Sequence, residues 1–107
     1  MGVSWFRLRA DEFTLAGVPR FLVESYVVAS STAFDDACER ARLTAELGVG
    51  VGYVHTTFLP GDETVLHLFE AASAEAVGEA GKLAGLQFER IVEAIEDSPD
   101  RRKENER

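Results

Sequence analysis

Cysteine is almost missing from this chain: Cys38 is the only one in 107 residues. That excludes an intrachain disulfide and any CxxC metal knuckle. Cys38 falls among apolar positions of an expected helix and reads as a small buried hydrophobe, not a reactive thiol. Long apolar runs are missing too. No stretch approaches the roughly 18 residues of a membrane span, and the N-terminus lacks the basic-then-apolar plan of a signal peptide. A cytoplasmic protein with no membrane partner is expected. Basic charge is scarce in the middle of the chain, where residues 21–96 set Arg40, Arg42, Lys82 and Arg90 against thirteen carboxylates within a net charge of −8. Such a field repels a phosphate backbone, so no nucleic acid partner is expected and cations are the more natural guests. There is no P-loop, G-x-G-x-x-G, H-E-x-x-H or G-x-S-x-G signature.

What is present is a regular alternation of element types in a chain that is 46% hydrophobic and 28% charged, enough for one small domain with a modest core. FLVESYVVA, 21–29, is β-branched and aromatic and apolar on both alternating faces apart from Glu24 and Ser25, as a central strand would be. Thr32 followed by Asp35 suggests a capped helix start, and Phe34, Ala37, Cys38, Ala41 and Ala45 then recur at helical spacing up to Gly48. GVGVGYVHTTFL, 48–59, reads as a second strand whose early glycines suggest a bend or bulge. PGDE is a turn, ETVLHLFEA a third strand, SAEAVGEAGKLAG a second helix opening at Ser73, and FERIVEAIE, 88–96, the last strand. Gly78 and Gly81 weaken that second helix by about 1 kcal/mol each relative to alanine, which close packing on a sheet would explain.

Strand, helix, strand, strand, helix, strand is the order of the split β-α-β, ferredoxin-like α+β sandwich. It predicts a four-stranded antiparallel sheet, spatial order fourth, first, third, second, with both helices on one face. Tyr26, Tyr53, Phe58, Phe69 and Ile91 are candidates for the other face. A bare apolar sheet face normally marks an interface, so a homodimer with sheet facing sheet is expected. Residues 1–20 form an extension of uncertain order with an alternating apolar stretch from Val3 to Leu8, residues 21–96 the domain, and residues 97–107 a charged tail expected to be disordered.

FLVESYVV, FLPGDETVLHLFEAASAEAV and AGLQFERIVEAIE together resemble a small bacterial domain-of-unknown-function family that includes a nickel-responsive protein, one of the ferredoxin-like dimeric α+β barrels. The match spans about residues 20–96, and its most specific element is the D-E-T…L-F-E-A-x-S-A-E-A-V run at 62–77. The resemblance implies the fold, dimerisation and, more loosely, nickel. Family members often carry cysteines on the strand after D-E-T, where this chain has Val65 and His67.

The residues that could carry chemistry are few. A two-residue turn at Gly61-Asp62 pairs Pro60 with Glu63, a four-residue loop pairs Leu59 with Thr64, and both set Thr56 opposite His67 with His55 on the other face. Gly-Asp suits the two-residue type II′ turn. A three-residue loop or a bulge would instead set His55 opposite His67. His67 lies on an interior strand beside the first strand, in what reads as a parallel pairing of open register, so Glu24 or Tyr26 could partner its ring. Glu89 and Glu93 share a face with Ile91, while Arg90 and Val92 take the opposite one; Arg90 could neutralise Glu24 or clamp an anion.

The leading expectation is a homodimeric binding domain that takes a divalent metal such as nickel, or a small organic ligand, in the cavity between the sheets. His67, His55 and Glu24 are its candidate metal ligands. The alternative is a cofactor-independent enzyme of oxygenase, isomerase or cyclase type. There His67 with Glu24 or Tyr26 would be the acid–base residues and Arg90 would hold an anionic oxygen.

Overall fold

The computed structural model describes residues 18–96. The expected apolar stretch near the N-terminus and the charged tail both lie outside the described residues. Strand β1, Arg20–Tyr26, is followed by helix α1, Ser31–Leu47, and strand β2, Gly52–Leu59. Strand β3, Thr64–Glu70, helix α2, Ala74–Ala84, and strand β4, Arg90–Ala94, complete the order. The sheet runs β2-β3-β1-β4 with every neighbouring pair antiparallel, and the two helices pack on one face of it: an α+β, ferredoxin-like fold. The pairing of β1 with β3 is therefore antiparallel, not parallel. The α1 crossover returns β2 parallel to β1, and the β2–β3 hairpin then reverses the chain once, which leaves β1 and β3 running in opposite directions.

Local chemistry sets the helix ends. Helix α1 is capped by Ser30, whose hydroxyl accepts the Ala33 N–H at 3.1 Å; Thr32 lies inside the first turn and is not the cap. Ser73 caps α2 in the same way through the Ala76 N–H. Gly85 closes α2 in the left-handed region at φ 76°, a conformation that favours glycine. Gly48 ends α1 for a different reason. Its φ is an ordinary −92°, but a Cβ there would stand 2.6 Å from the Ala80 Cβ, so the glycine is required by the close approach of α2.

The helices present small residues to the sheet: Ala37, Cys38, Ala41 and Thr44 from α1, and Val77, Ala80, Gly81 and Ala84 from α2. The bulk that fills the layer must then come from the sheet and the segment leading into β4. Phe21, Val23 and Phe69 supply it, with Tyr53, Phe88 and Ile91 packed against them, and Phe34 of α1 stacks on Phe58 at a centroid separation of 5.1 Å. Tyr53, Phe58, Phe69 and Ile91 thus belong to the helix side and not to the outer face. Only Tyr26 of that group is on the outer side, 63% exposed. The close packing expected at the glycines of α2 is not tight enough to require them: a Cβ at Gly78 would meet Ile91 at 3.5 Å, and one at Gly81 would meet Phe88 at 3.4 Å and Leu86 at 3.7 Å, all ordinary van der Waals contacts.

The β2–β3 connection is a four-residue loop. Pro60–Asp62 forms a single 3-10 turn, and Glu63 returns the chain through the left-handed region at φ 51°. The two-residue turn at Gly61-Asp62 does not form, yet both loops give one register, and Thr56 stands opposite His67. Glu63 is held in that unusual conformation by β1's exit: its carbonyl accepts the Val27 N–H at 2.8 Å and its carboxylate the Ala29 N–H at 3.2 Å. The bulge in β2 falls between Tyr53 and His55, one residue beyond the glycines.

Candidate functional site

Strand alternation and register divide the candidate residues between the two faces of the sheet. Val23 pairs with His67 and Ile91, so His67 belongs to the helix side. Glu24 pairs with Leu66 and Arg90, and Tyr26 with Thr64, on the outer side. The sheet therefore separates His67 from Glu24 and Tyr26, and the acid–base pairing considered from the sequence is not assembled. His55 shares the outer side with Leu68 and is exposed.

His67 is fully buried, and its Nδ1 lies 2.8 Å from the Thr56 hydroxyl, which also meets the Tyr53 hydroxyl. Thr56 has one hydroxyl proton, so it donates to one neighbour and accepts from the other. In either arrangement Nε2 has no partner among the described residues. Removal from water disfavours the imidazolium and pushes the His67 pKa down to about 4. The ring is neutral at physiological pH and serves the core as a polar link between β2 and β3.

A divalent metal does not fit the residues named for it. His67 is on one side of the sheet and His55 and Glu24 on the other, and among the described residues no group of three His, Cys, Asp or Glu side chains could hold an ion. His55 and Glu24 themselves stand two strands apart, roughly 10 Å laterally at strand spacing.

The outer side offers a different arrangement. A depression of about 340 Å³ is floored by Leu22, Leu59, Leu66 and Val92 and edged by Glu24, Asp62, Thr64 and Arg90. Arg90 donates from Nε to Glu24 Oε1 at 2.7 Å, the cross-strand pair that register dictates, so its role as a partner of Glu24 is realised. Its side chain is 68% exposed, and its terminal nitrogens have no other partner among the described residues. Two rows away on the same side, Arg20 donates from Nε and Nη2 to Glu70 and from Nη1 to Glu96 at 2.7 Å, and these two carboxylates, Glu96 foremost, push its pKa up. The second hollow, about 410 Å³, lies where Tyr26, Asp36, Arg40 and Gln87 meet at the end of β1. There Arg40 is already engaged with the Ala84 carbonyl at 3.4 Å and with Asp36.

Leu22, Leu66 and Asp62 were not singled out from the sequence. The signal was present, since Leu22 shares strand parity with Glu24. Using it required the antiparallel β1–β3 register, which sets Leu66 beside Glu24.

A small ferredoxin-like α+β domain with both helices on one face of its sheet is the class that this geometry defines. The crystal structure of SCO4226 from Streptomyces coelicolor A3(2) is similar to it, with a TM-score of 0.60 and 21% sequence identity over 74% of this chain and 99% of that one. That likeness is one of fold. No family model matches the chain, and no curated protein matches it in sequence.

Proposed function

We propose that this chain is a small binding domain that pairs with a second copy through the outer side of its sheet and takes a small organic ligand in the hollow so enclosed. The observation that carries this reading is the 340 Å³ depression with its leucine and valine floor, on the side that neither helix covers. Leu59 and Val92 in its lining are each 40% exposed. Apolar surface of this kind is stabilised by a covering partner at roughly 25 cal/mol per Å² removed from water.

Kinship with the family of the nickel-responsive protein, and a cytoplasmic location, go with this reading. An organic ligand is favoured over a metal because the described residues bring no three ligands together.

Sedimentation velocity of the full chain at micromolar concentration is the test. The expected result is a dimer that Val92→Glu or Leu59→Glu dissociates while far-ultraviolet circular dichroism is unchanged. A single protomer for the unaltered chain overturns the pairing.

A further inference from the structure

Among the described residues, Arg20 and Arg90 stand on the outer side of the sheet, and each is flanked across the strand by a glutamate. Arg20 shows what such a guanidinium does here when both of its edges are used. Its side edge, Nε with Nη2, takes Glu70 at 3.1 and 2.9 Å, and its remaining terminal nitrogen takes a second carboxylate, Glu96, at 2.7 Å. Arg90 repeats the first half of that pattern alone. Nε alone is bonded to Glu24, at 2.7 Å, which ties the guanidinium to that strand and leaves hydrogen-bond donors on both terminal nitrogens. No second carboxylate reaches them among the described residues.

The apolar depression begins at this group. Arg90 and Val92 line its β4 edge, Leu22 stands beside Val92 on β1, and Leu66 lies one strand further on β3, across Glu24 from Arg90. A planar fork of donors beside an apolar floor is the chemistry that recognises a carboxylate attached to a hydrocarbon body. The charges around it restrict the class. Glu24 and Asp62 set two negative charges against one positive in the lining, within a chain of net charge −8. A phosphate or a dicarboxylate would meet more repulsion than one arginine offsets, whereas a single carboxylate reproduces the arrangement already made at Arg20.

We infer that the outer-side depression takes a small monocarboxylate with an apolar body, its carboxylate held by the terminal nitrogens of Arg90 while Glu24 orients the guanidinium. This rests on the reading of that side as a ligand-binding surface and names the class of ligand. Glu24 touches no ligand in this arrangement; it is a positioning residue for Arg90.

Octanoate is the probe, with octanol and octyl phosphate as matched controls, followed by amide chemical shifts of the full chain. Octanoate is expected to shift Leu22, Leu66 and Val92, and to bind about tenfold more tightly than either control. Arg90→Gln is expected to bring octanoate down to the level of octanol without moving the melting temperature by more than a degree or two, and Glu24→Leu, which removes the acceptor for Nε, to bind octanoate more weakly than Glu24→Gln, which removes the same charge but keeps an acceptor oxygen. If octanol shifts the same residues as strongly as octanoate, and Arg90→Gln changes nothing, the surface binds ligands but the carboxylate assignment is overturned. If no probe shifts these residues, both the ligand class and the ligand-binding surface fall. If Arg90→Gln instead converts a dimer to protomers and octanoate never binds, the second carboxylate belongs to the other copy, and the inference is overturned.

Discussion

At the scale of single residues, His67 has the clearest consequence. Its pKa in the folded chain is about 4, below the ordinary 6.5. Between those values the unfolded chain takes up a proton that the folded chain does not, so stability rises with pH across this window and is constant above it. The stabilisation fully present above pH 6.5 is lost as pH falls toward 4, and at about 1.4 kcal/mol per unit it amounts to about 3 kcal/mol. Urea unfolding at pH 7 and pH 4.5 should show this loss, and His67→Gln, which cannot titrate, should remove most of the slope. The hydroxyl of Thr56 bears on the same ring. Thr56→Val would leave both the Tyr53 hydroxyl and His67 Nδ1 without the partner they share, and should destabilise by about 2 kcal/mol. An unchanged urea midpoint for Thr56→Val would show that this chain of polar groups does not stabilise the core.

At the scale of elements, the helix ends make separable predictions. Ser30 and Thr32 both suit an N-cap by composition, but only the Ser30 hydroxyl accepts a backbone N–H of the first turn. Ser30→Ala should destabilise by about 1 kcal/mol and Thr32→Ala by much less, measured by chemical denaturation; the reverse order would move the cap. At the far end of α1, Gly48→Ala places a methyl against Ala80 and Val51, at 2.6 and 2.8 Å. Backbone and side chains must shift to admit it, so the expected loss is about 1–3 kcal/mol. A stabilised Gly48→Ala variant would show that the α1–α2 approach is looser than this. The four-residue β2–β3 loop belongs to the same scale. The shorter turn suggested by Gly61-Asp62 gives way because Glu63 is tied to Val27 and Ala29, two contacts that no reading confined to the hairpin contains.

At the scale of the whole molecule, negative charge dominates. A net charge of −8 on 107 residues opposes the compact state by self-repulsion. Raising sodium chloride from low millimolar to about 0.3 M shortens the screening length to roughly 6 Å and should raise the melting temperature. The ion pairs of the outer side are partly exposed and weaken under the same screening, so a melting temperature that falls with salt would show that they outweigh the repulsion. Should the second copy pair through the outer side, each protomer brings its own −8, and association should strengthen with salt as well.

Strand and helix identities and their order were determined by sequence alone, because alternation and helical spacing are local properties. The fold class followed from them, since few topologies join such elements with short, right-handed connections. The histidine register, left between two alternatives by the sequence, was decided by the four-residue loop and its ties to the exit of β1. Which apolar residues faced the helices was decided only in three dimensions. Strands apolar on both sides carry no label for inside, and the small side chains of α1 and α2 drew the aromatic residues to themselves to fill the layer. The same choice parted His67 from Glu24 and left the leucines with Arg90 on the open side. It turns on the relative parity of β1 and β3, two strands separated in the chain by a helix, a strand and a loop, and only their pairing in the folded sheet sets that parity.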